Sequence, residues 1–209
     1  MAAPDAPQIY LITPPEFELS SFPARLDDVL DAHPVACVRL STTSQDEDWI
    51  ARAADAVREV CHRADVACVI DRHVGLVTRL GLDGVHLTDG ARSVRKVRKA
   101  LGADAIVGAF CGASRHDGMN AGEAGADYVS FGPVSASALG DGSVAPPDLF
   151  AWWSEMIEVP VVAEGAVTDD AVRELTPFTD FLAIGSEIWR EKDAAAALAA
   201  LKAAMAVPA

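Results

Sequence analysis

The side chains best suited to chemistry stand where short apolar runs stop. The run "ACVI" ends on Asp71 and Arg72, "DGVHL" carries His86 with Asp89 just beyond it, "ACVRLS" holds Arg39, and "AIVGAF" is followed by Cys111. Two charges closing a buried run are costly unless they pair or bind something, so Asp71 and Arg72 are read either as functional groups or as a structural ion pair. Arg39 has the same two readings. His86 follows the turn-like Asp83-Gly84 and is either a packed, hydrogen-bonded histidine or a ligand contact. Cys111 is a donor, a thiol nucleophile or a core residue. A metal centre built from His86, Asp89, His116 and Cys111 has no ligand spacing to support it. His33, His62, His73 and His116 are expected at the surface or rim.

These groups have to be positioned by the runs themselves. Eight β-type segments recur, at 8–13, 36–41, 67–71, 84–88, 105–110, 128–133, 159–165 and 181–186. They are near-continuously apolar, as strands buried on both faces of a parallel sheet are. Helical patterns lie between them, such as "DEDWIARAADAVREVCHRA" with Trp49, Ala53, Val57 and Val60 on one face, and "TDDAVRELTPF" with Thr168 or Asp169 as N-cap. The alternation, with no linker long enough to divide the chain, predicts an α/β fold, a single (β/α)8 TIM barrel over 1–209. A doubly wound open sheet is the rival, but no GxGxxG turn follows the first strand. In a barrel the C-terminal strand ends converge on one face, which brings Asp71, Arg72, His86, Gly132, Gly165 and Ser186 together.

Composition narrows the partners. The chain has 209 residues and a formal net charge of −14, which argues against a nucleic-acid backbone as ligand. The one basic cluster, Arg92 to Lys99, has helical spacing beside Val94, Val97 and Leu101 and is expected to be a solvated face. An anionic substrate would therefore be held locally, by backbone N–H groups and a few Arg or Ser side chains. Cys37, Cys61, Cys68 and Cys111 show no CxxC spacing and are expected as reduced, buried thiols. Neither a signal peptide nor a membrane span is supported, and a cytoplasmic location is expected.

Together "YLIT", "DR" closing the third run, "DGVHL", "GADYVSFGPV", "PVVAEGAV" and "AIGS" resemble, in order, the signature blocks of the thiamine phosphate synthase and thiazole tautomerase superfamily. The resemblance implies an enzyme of thiamine biosynthesis, a transferase. It would join hydroxymethylpyrimidine diphosphate to thiazole phosphate with release of diphosphate and help from Mg2+.

Residue by residue, the resemblance keeps Arg39 of the strand-two Gln-x-Arg-x-Lys pattern, with Cys37 and Ser41 at the flanking positions. Asp71 falls on the metal-binding aspartate, and Ile70 stands where the family has asparagine. Ala91 stands at the second metal carboxylate, which makes Asp89 its stand-in. Ser137 opens the Thr-x-Thr-Lys pattern, whose lysine position is Gly140. Cys111 falls where Ser or Thr donates to diphosphate. The thiazole-phosphate cradle maps onto Gly165, Gly185 and Ser186, with Ala166 in place of a second glycine and Glu164 in place of an aliphatic residue. His116 is the nearest match to the tautomerase histidine. The implied catalytic set is thus Arg39, Asp71, Arg72 and His116. Substrate or phosphate contacts fall to His86, Cys111, Ser137, Gly165, Gly185 and Ser186, and metal binding to Asp71 and Asp89.

Two alternatives stand beside the synthase: a tautomerase-like enzyme that needs no metal, and a paralogue that binds a phosphorylated intermediate without turnover. Metal-dependent diphosphate release separates the first reading from both. A homo-oligomer is compatible with the resemblance, with the Trp152-Trp153 pair read as exposed and either in such a contact or under a loop. The small-residue stretch "SASALGDGSVAPP" has the composition of a flap over the site.

Overall fold

The computed structural model describes residues 6–205; residues 1–5 and 206–209, the two ends of the expected 1–209 domain, lie outside it. The strands are β1 (Gln8–Ile12), β2 (Cys37–Leu40), β3 (Ala67–Asp71), β4 (Gly84–Leu87), β5 (Ile106–Phe110), β6 (Tyr128–Phe131), β7 (Val161–Ala163) and β8 (Phe181–Ile184). They pair in parallel and in chain order, and β1 pairs with β8 from Gln8↔Phe181 to Leu11↔Ile184, closing the barrel. That closure removes the open-sheet rival. The seventh run is shorter as a strand than its apolar pattern suggests. Gly165 follows it with φ +87° and Ala166 with φ +54°, so the chain turns away.

The helices are α1 (Phe22–Ala32), α2 (Glu47–Arg63), α3 (Val74–Leu80), α4 (Val94–Leu101), α5 (Arg115–Glu123), α6 (Pro147–Met156), α7 (Asp169–Leu175), α8 (Ser186–Trp189) and α9 (Ala194–Met205). Helix α2 shows how the sequence specifies them. Asp46 caps its N-terminus by accepting from the amides of Asp48 and Trp49, and Ile50, Ala53, Ala54, Val57, Val60 and Cys61 bury one face. Trp49 lies at the edge of that face, 5.2 Å from the Phe17 ring. Thr168 caps α7 through the amide of Ala171, one of the two caps expected.

Period-two alternation divides the strand residues between two cores. Ile9, Leu11, Val38, Leu40, Ile70, Val85 and Val129 face the helices. Tyr10, Cys37, Val69, Tyr128, Val162 and Ala183 fill the lumen. Gly108 is required there, because a β-carbon on it would lie 2.0 Å from Cζ of Tyr128.

Two surface expectations change. Arg98, within the basic cluster, is not simply solvated: Nε donates to Gly125 O at 3.0 Å, Nη1 to Ala105 O at 2.6 Å, and Nη2 meets Asp127. Arg95, Lys96 and Lys99 are exposed as expected. The Trp152-Trp153 pair is not exposed. Trp153 is buried against Phe131, with ring centroids 4.9 Å apart, and its indole N–H donates to Val159 O. Trp152 is half-buried beneath the Arg115 guanidinium.

Candidate active site

Lumen positions near the C-terminal strand ends carry polar side chains in place of apolar ones, and these meet. Arg39 Nη2 on β2 donates to Glu164 Oε2 at 2.6 Å, and Ser130 Oγ on β6 donates to Glu164 Oε1 at 2.6 Å. Arg39 Nε lies 3.4 Å from Asp71 Oδ1 at the end of β3. His86 Nε2 on β4 is 3.9 Å from Glu164 Oε1, while its Nδ1 shares a 2.9 Å hydrogen bond with the Tyr128 hydroxyl. Tyr128 in turn shares one of 2.7 Å with Tyr10. All seven side chains are buried. Thr13, the last residue of "YLIT", clasps the mouth from above: its hydroxyl donates to Ser41 O and accepts from Ser41 N.

Burial decides the protonation states. It works against the Arg39 charge, but Glu164 and Asp71 outweigh it and hold the guanidinium pKa above its ordinary value. Burial raises the Asp71 carboxyl, an effect that the neighbouring Arg39 opposes. Burial, and then the Arg39 charge, hold His86 well below the usual imidazole value. His86 is therefore neutral at neutral pH, and its contact with Glu164 is not an ion pair. Burial also pushes the Cys111 thiol up to about 12, which rules it out as a thiolate nucleophile near neutrality.

Two of the cavities on this end of the barrel flank the stretch after β6. One, of about 610 Å³, is bounded by Ile12, Arg39, Glu164, Gly165, Gly185 and Glu187 over β1, β2, β7 and β8. The other, of about 720 Å³, lies over β4 and β5 and is bounded by Asp89, Arg92, Cys111, Ser114, Asp117 and Asp141. The stretch after β6 folds back between them, so that Leu139 lines the first and Gly140 the second. It is anchored where Val134 N donates to Glu164 O and Ala145 N to Pro133 O. Gly165 is needed beneath it, since a β-carbon there would meet Leu139 Cδ2 at 2.7 Å.

The structure brings some of the expected residues together and leaves others apart. Arg39 and Asp71 form one buried cluster, and Gly165, Gly185 and Ser186 line the first cavity. Cys111 and Asp89 line the second, where Asp89 accepts from Ser93 Oγ at 2.6 Å. His86 is a packed barrel histidine, 1% exposed and bounding neither cavity. Arg72 adopts φ +60° with an exposed side chain, its amide donating to His86 O. Ser137 is exposed and accepts from Leu139 N. His116 is exposed on α5 and hydrogen-bonds Asn120, while Ser114, Asp117 and Asn120 take the cavity-facing positions. Among the described residues no group of three or more His, Cys, Asp or Glu side chains is arranged to hold a metal by itself.

Sequence reasoning missed Glu187. Its Oε2 accepts from the amide of Gly185 at 2.7 Å and its Oε1 from that of Val167 at 3.1 Å. The acidic residue directly after "AIGS" was the only signal for it. The Tyr10–Tyr128 pair was equally hidden, because it exists only once the barrel closes.

Comparison with known proteins agrees with this architecture. The family described as thiamine monophosphate synthase matches residues 9–188. The chain is 40% identical over 195 residues to the thiamine-phosphate synthase of Rhodospirillum centenum, covering 92% of this chain and 94% of that protein. It is 38% identical over 203 residues to that of Erythrobacter litoralis, covering 94% and 95%. A thiamine phosphate pyrophosphorylase structure from Pyrococcus furiosus superposes with a TM-score of 0.82 at 21% identity, covering 95% of each chain, which shows the shared fold.

Proposed function

The chain belongs to the thiamine monophosphate synthase family, and from that membership we propose that it joins hydroxymethylpyrimidine diphosphate to thiazole phosphate at this barrel mouth. The C–O bond from the pyrimidine methylene to diphosphate breaks, the thiazole nitrogen forms the new C–N bond, and diphosphate leaves. The observation that carries this reading is the pair of cavities flanking one turn, Leu139 in one and Gly140 in the other. Two substrates can then meet at a common boundary, and much of the rate comes from holding them there.

The cavity over β7 and β8 suits the thiazole phosphate, because its rim carries Gly165, Gly185 and Ser186, whose backbone allows close approach. The cavity over β4 and β5 takes the diphosphate, with Arg92 and Ser114 as donors. Arg39 and Glu164 line the first of these cavities, held by Asp71 and Ser130.

Mg2+ fits oxygen donors of the kind present. Asp89 opens its carboxylate to the second cavity, and Asp71 Oδ1, 3.4 Å from Arg39 Nε, is buried and accepts no hydrogen bond among the described residues. These two residues would hold the ion, which when bound would neutralise charge on the departing diphosphate. Four buried, unpaired cysteines support a reducing, cytoplasmic setting. The tautomerase alternative draws no support from His116, which bounds neither cavity.

The test is diphosphate release from hydroxymethylpyrimidine diphosphate with thiazole phosphate and Mg2+. Release that requires both substrates is the expected result. A well-folded protein that releases none overturns the proposal.

A further inference from the structure

The amides of Gly185 and Val167 come from different segments, one at the end of β8 and the other in the turn after β7, yet both point at one carboxylate. Glu187 spans them, with one oxygen on each, at 2.7 and 3.1 Å. Two converging backbone N–H groups make a seat for an anion of any kind, since they recognise oxygen and negative charge rather than the group that carries them. The turn is shaped for this purpose at some cost: Ala166, just before Val167, has φ +54°. Arg39 lines the same cavity, is 5% exposed, and leaves Nη1 without a hydrogen-bond partner. Ser186 and the exposed Arg190 complete the wall, with Arg190 Nη2 donating to Ser186 Oγ at 2.9 Å.

We propose that Glu187 is an internal stand-in for the substrate's phosphate: it occupies the anion seat at the β7–β8 rim in the empty protein and is displaced when the phosphate ester binds. This rests on the synthase reading and deepens it, because it makes Glu187 a specificity-determining residue. Two anions cannot share one pair of amides, so an incoming phosphate has to expel the carboxylate. A phosphate attached to an aromatic ring offsets that displacement through the ring's own contacts with the cavity. Inorganic phosphate has no ring and does not. The seat thus stays formed, and selects against the free anion.

The experiment is titration of the full-length protein with inorganic phosphate, read by calorimetry and by thermal shift, for wild type, Glu187→Gln and Glu187→Ala. Removing the competing charge is expected to tighten phosphate binding about tenfold or more, equivalent to about 1.4 kcal/mol. Without ligand, the same variants should melt lower than wild type, having lost an acceptor for two amides. A merely structural glutamate would give the loss of melting temperature without the gain in affinity. If neither variant binds phosphate more tightly than wild type, the proposal is overturned; the glutamine variant keeps an acceptor in place should the alanine fail to fold. Wild-type diphosphate release, measured separately, reports on the synthase reading, so either idea can fail alone.

Discussion

Arg39 and Glu164, 125 residues apart in the chain, are joined across the barrel lumen by a 2.6 Å charge-assisted hydrogen bond, with Asp71 Oδ1 3.4 Å from Nε of the same guanidinium. Each charge is tolerable only because the others are present. Glu164→Ala should therefore cost about 3–5 kcal/mol of stability by leaving Arg39 underpaired. The triple exchange Arg39→Met, Asp71→Asn, Glu164→Leu should recover most of that loss in urea denaturation while diphosphate release stays abolished. A triple variant no more stable than Glu164→Ala would show that the cluster stabilises the barrel by more than mutual neutralisation.

His86 gives the fold a dependence on acid. Its folded pKa is lowered by burial and by Arg39, whereas the unfolded chain titrates near the ordinary value of 6.5. Below that value the unfolded state binds a proton that the folded state does not, so stability falls as pH falls, by up to about 1.4 kcal/mol per pH unit. Its contribution is fully present above 6.5. Thermal melts from pH 7.5 to about 5 should show a slope that His86→Gln flattens; an unchanged slope would assign it to other groups.

Ala166 sits at φ +54°, a conformation that costs an L-residue roughly 1–2 kcal/mol. Glycine relieves this but loses more entropy on folding, about 0.4–1 kcal/mol. Ala166→Gly should thus stabilise by about 0.5–1 kcal/mol, visible as a rise of about 2 °C in melting temperature. A lower melting temperature would mean that the alanine methyl makes a compensating contact.

Asp71 and Asp89 separate stability from metal dependence. Burial raises the Asp71 pKa, so its ionised form is the costly one: its contribution is most favourable below the ordinary carboxylate value of 3.8 and is lost as pH rises through the raised one. Asp71→Asn removes that cost but also one of the two carboxylates that offset Arg39, so its melting temperature at neutral pH should change less than that of Glu164→Ala while diphosphate release falls. Asp89→Asn, on an exposed residue, should leave melting unchanged and raise the Mg2+ concentration needed for half-maximal rate. Identical Mg2+ titrations for wild type and both variants would remove these carboxylates from the ion's site.

The order of strands and helices was legible because eight two-sided apolar runs allow few other arrangements, and the strand ends pointed to the region where Arg39 and Asp71 meet. What those runs concealed was the lumen's polarity. His86 and Tyr128 look like single interruptions in the chain and become a hydrogen-bonded pair only when β4 and β6 flank Gly108. Glu164 stood out as an unexpected carboxylate, but its partners lie on β2 and β6, far away in sequence. His116 was misleading for the opposite reason. It is close in sequence to Cys111, but helical geometry gives the cavity side of α5 to Asp117 and Asn120. Glu187 resembles an ordinary surface glutamate until two turns bring their amides to it.

The lumen packed with Tyr10, Cys37, Val69, Tyr128, Val162 and Ala183 has a consequence for traffic through the enzyme. Among the described residues, a barrel stoppered this way has no back door. Both reactants and both products use the same threshold, and the turn at Leu139 and Gly140 stands in the middle of it. Departure of diphosphate and arrival of the next thiazole phosphate then take place on the same face, one on each side of that turn.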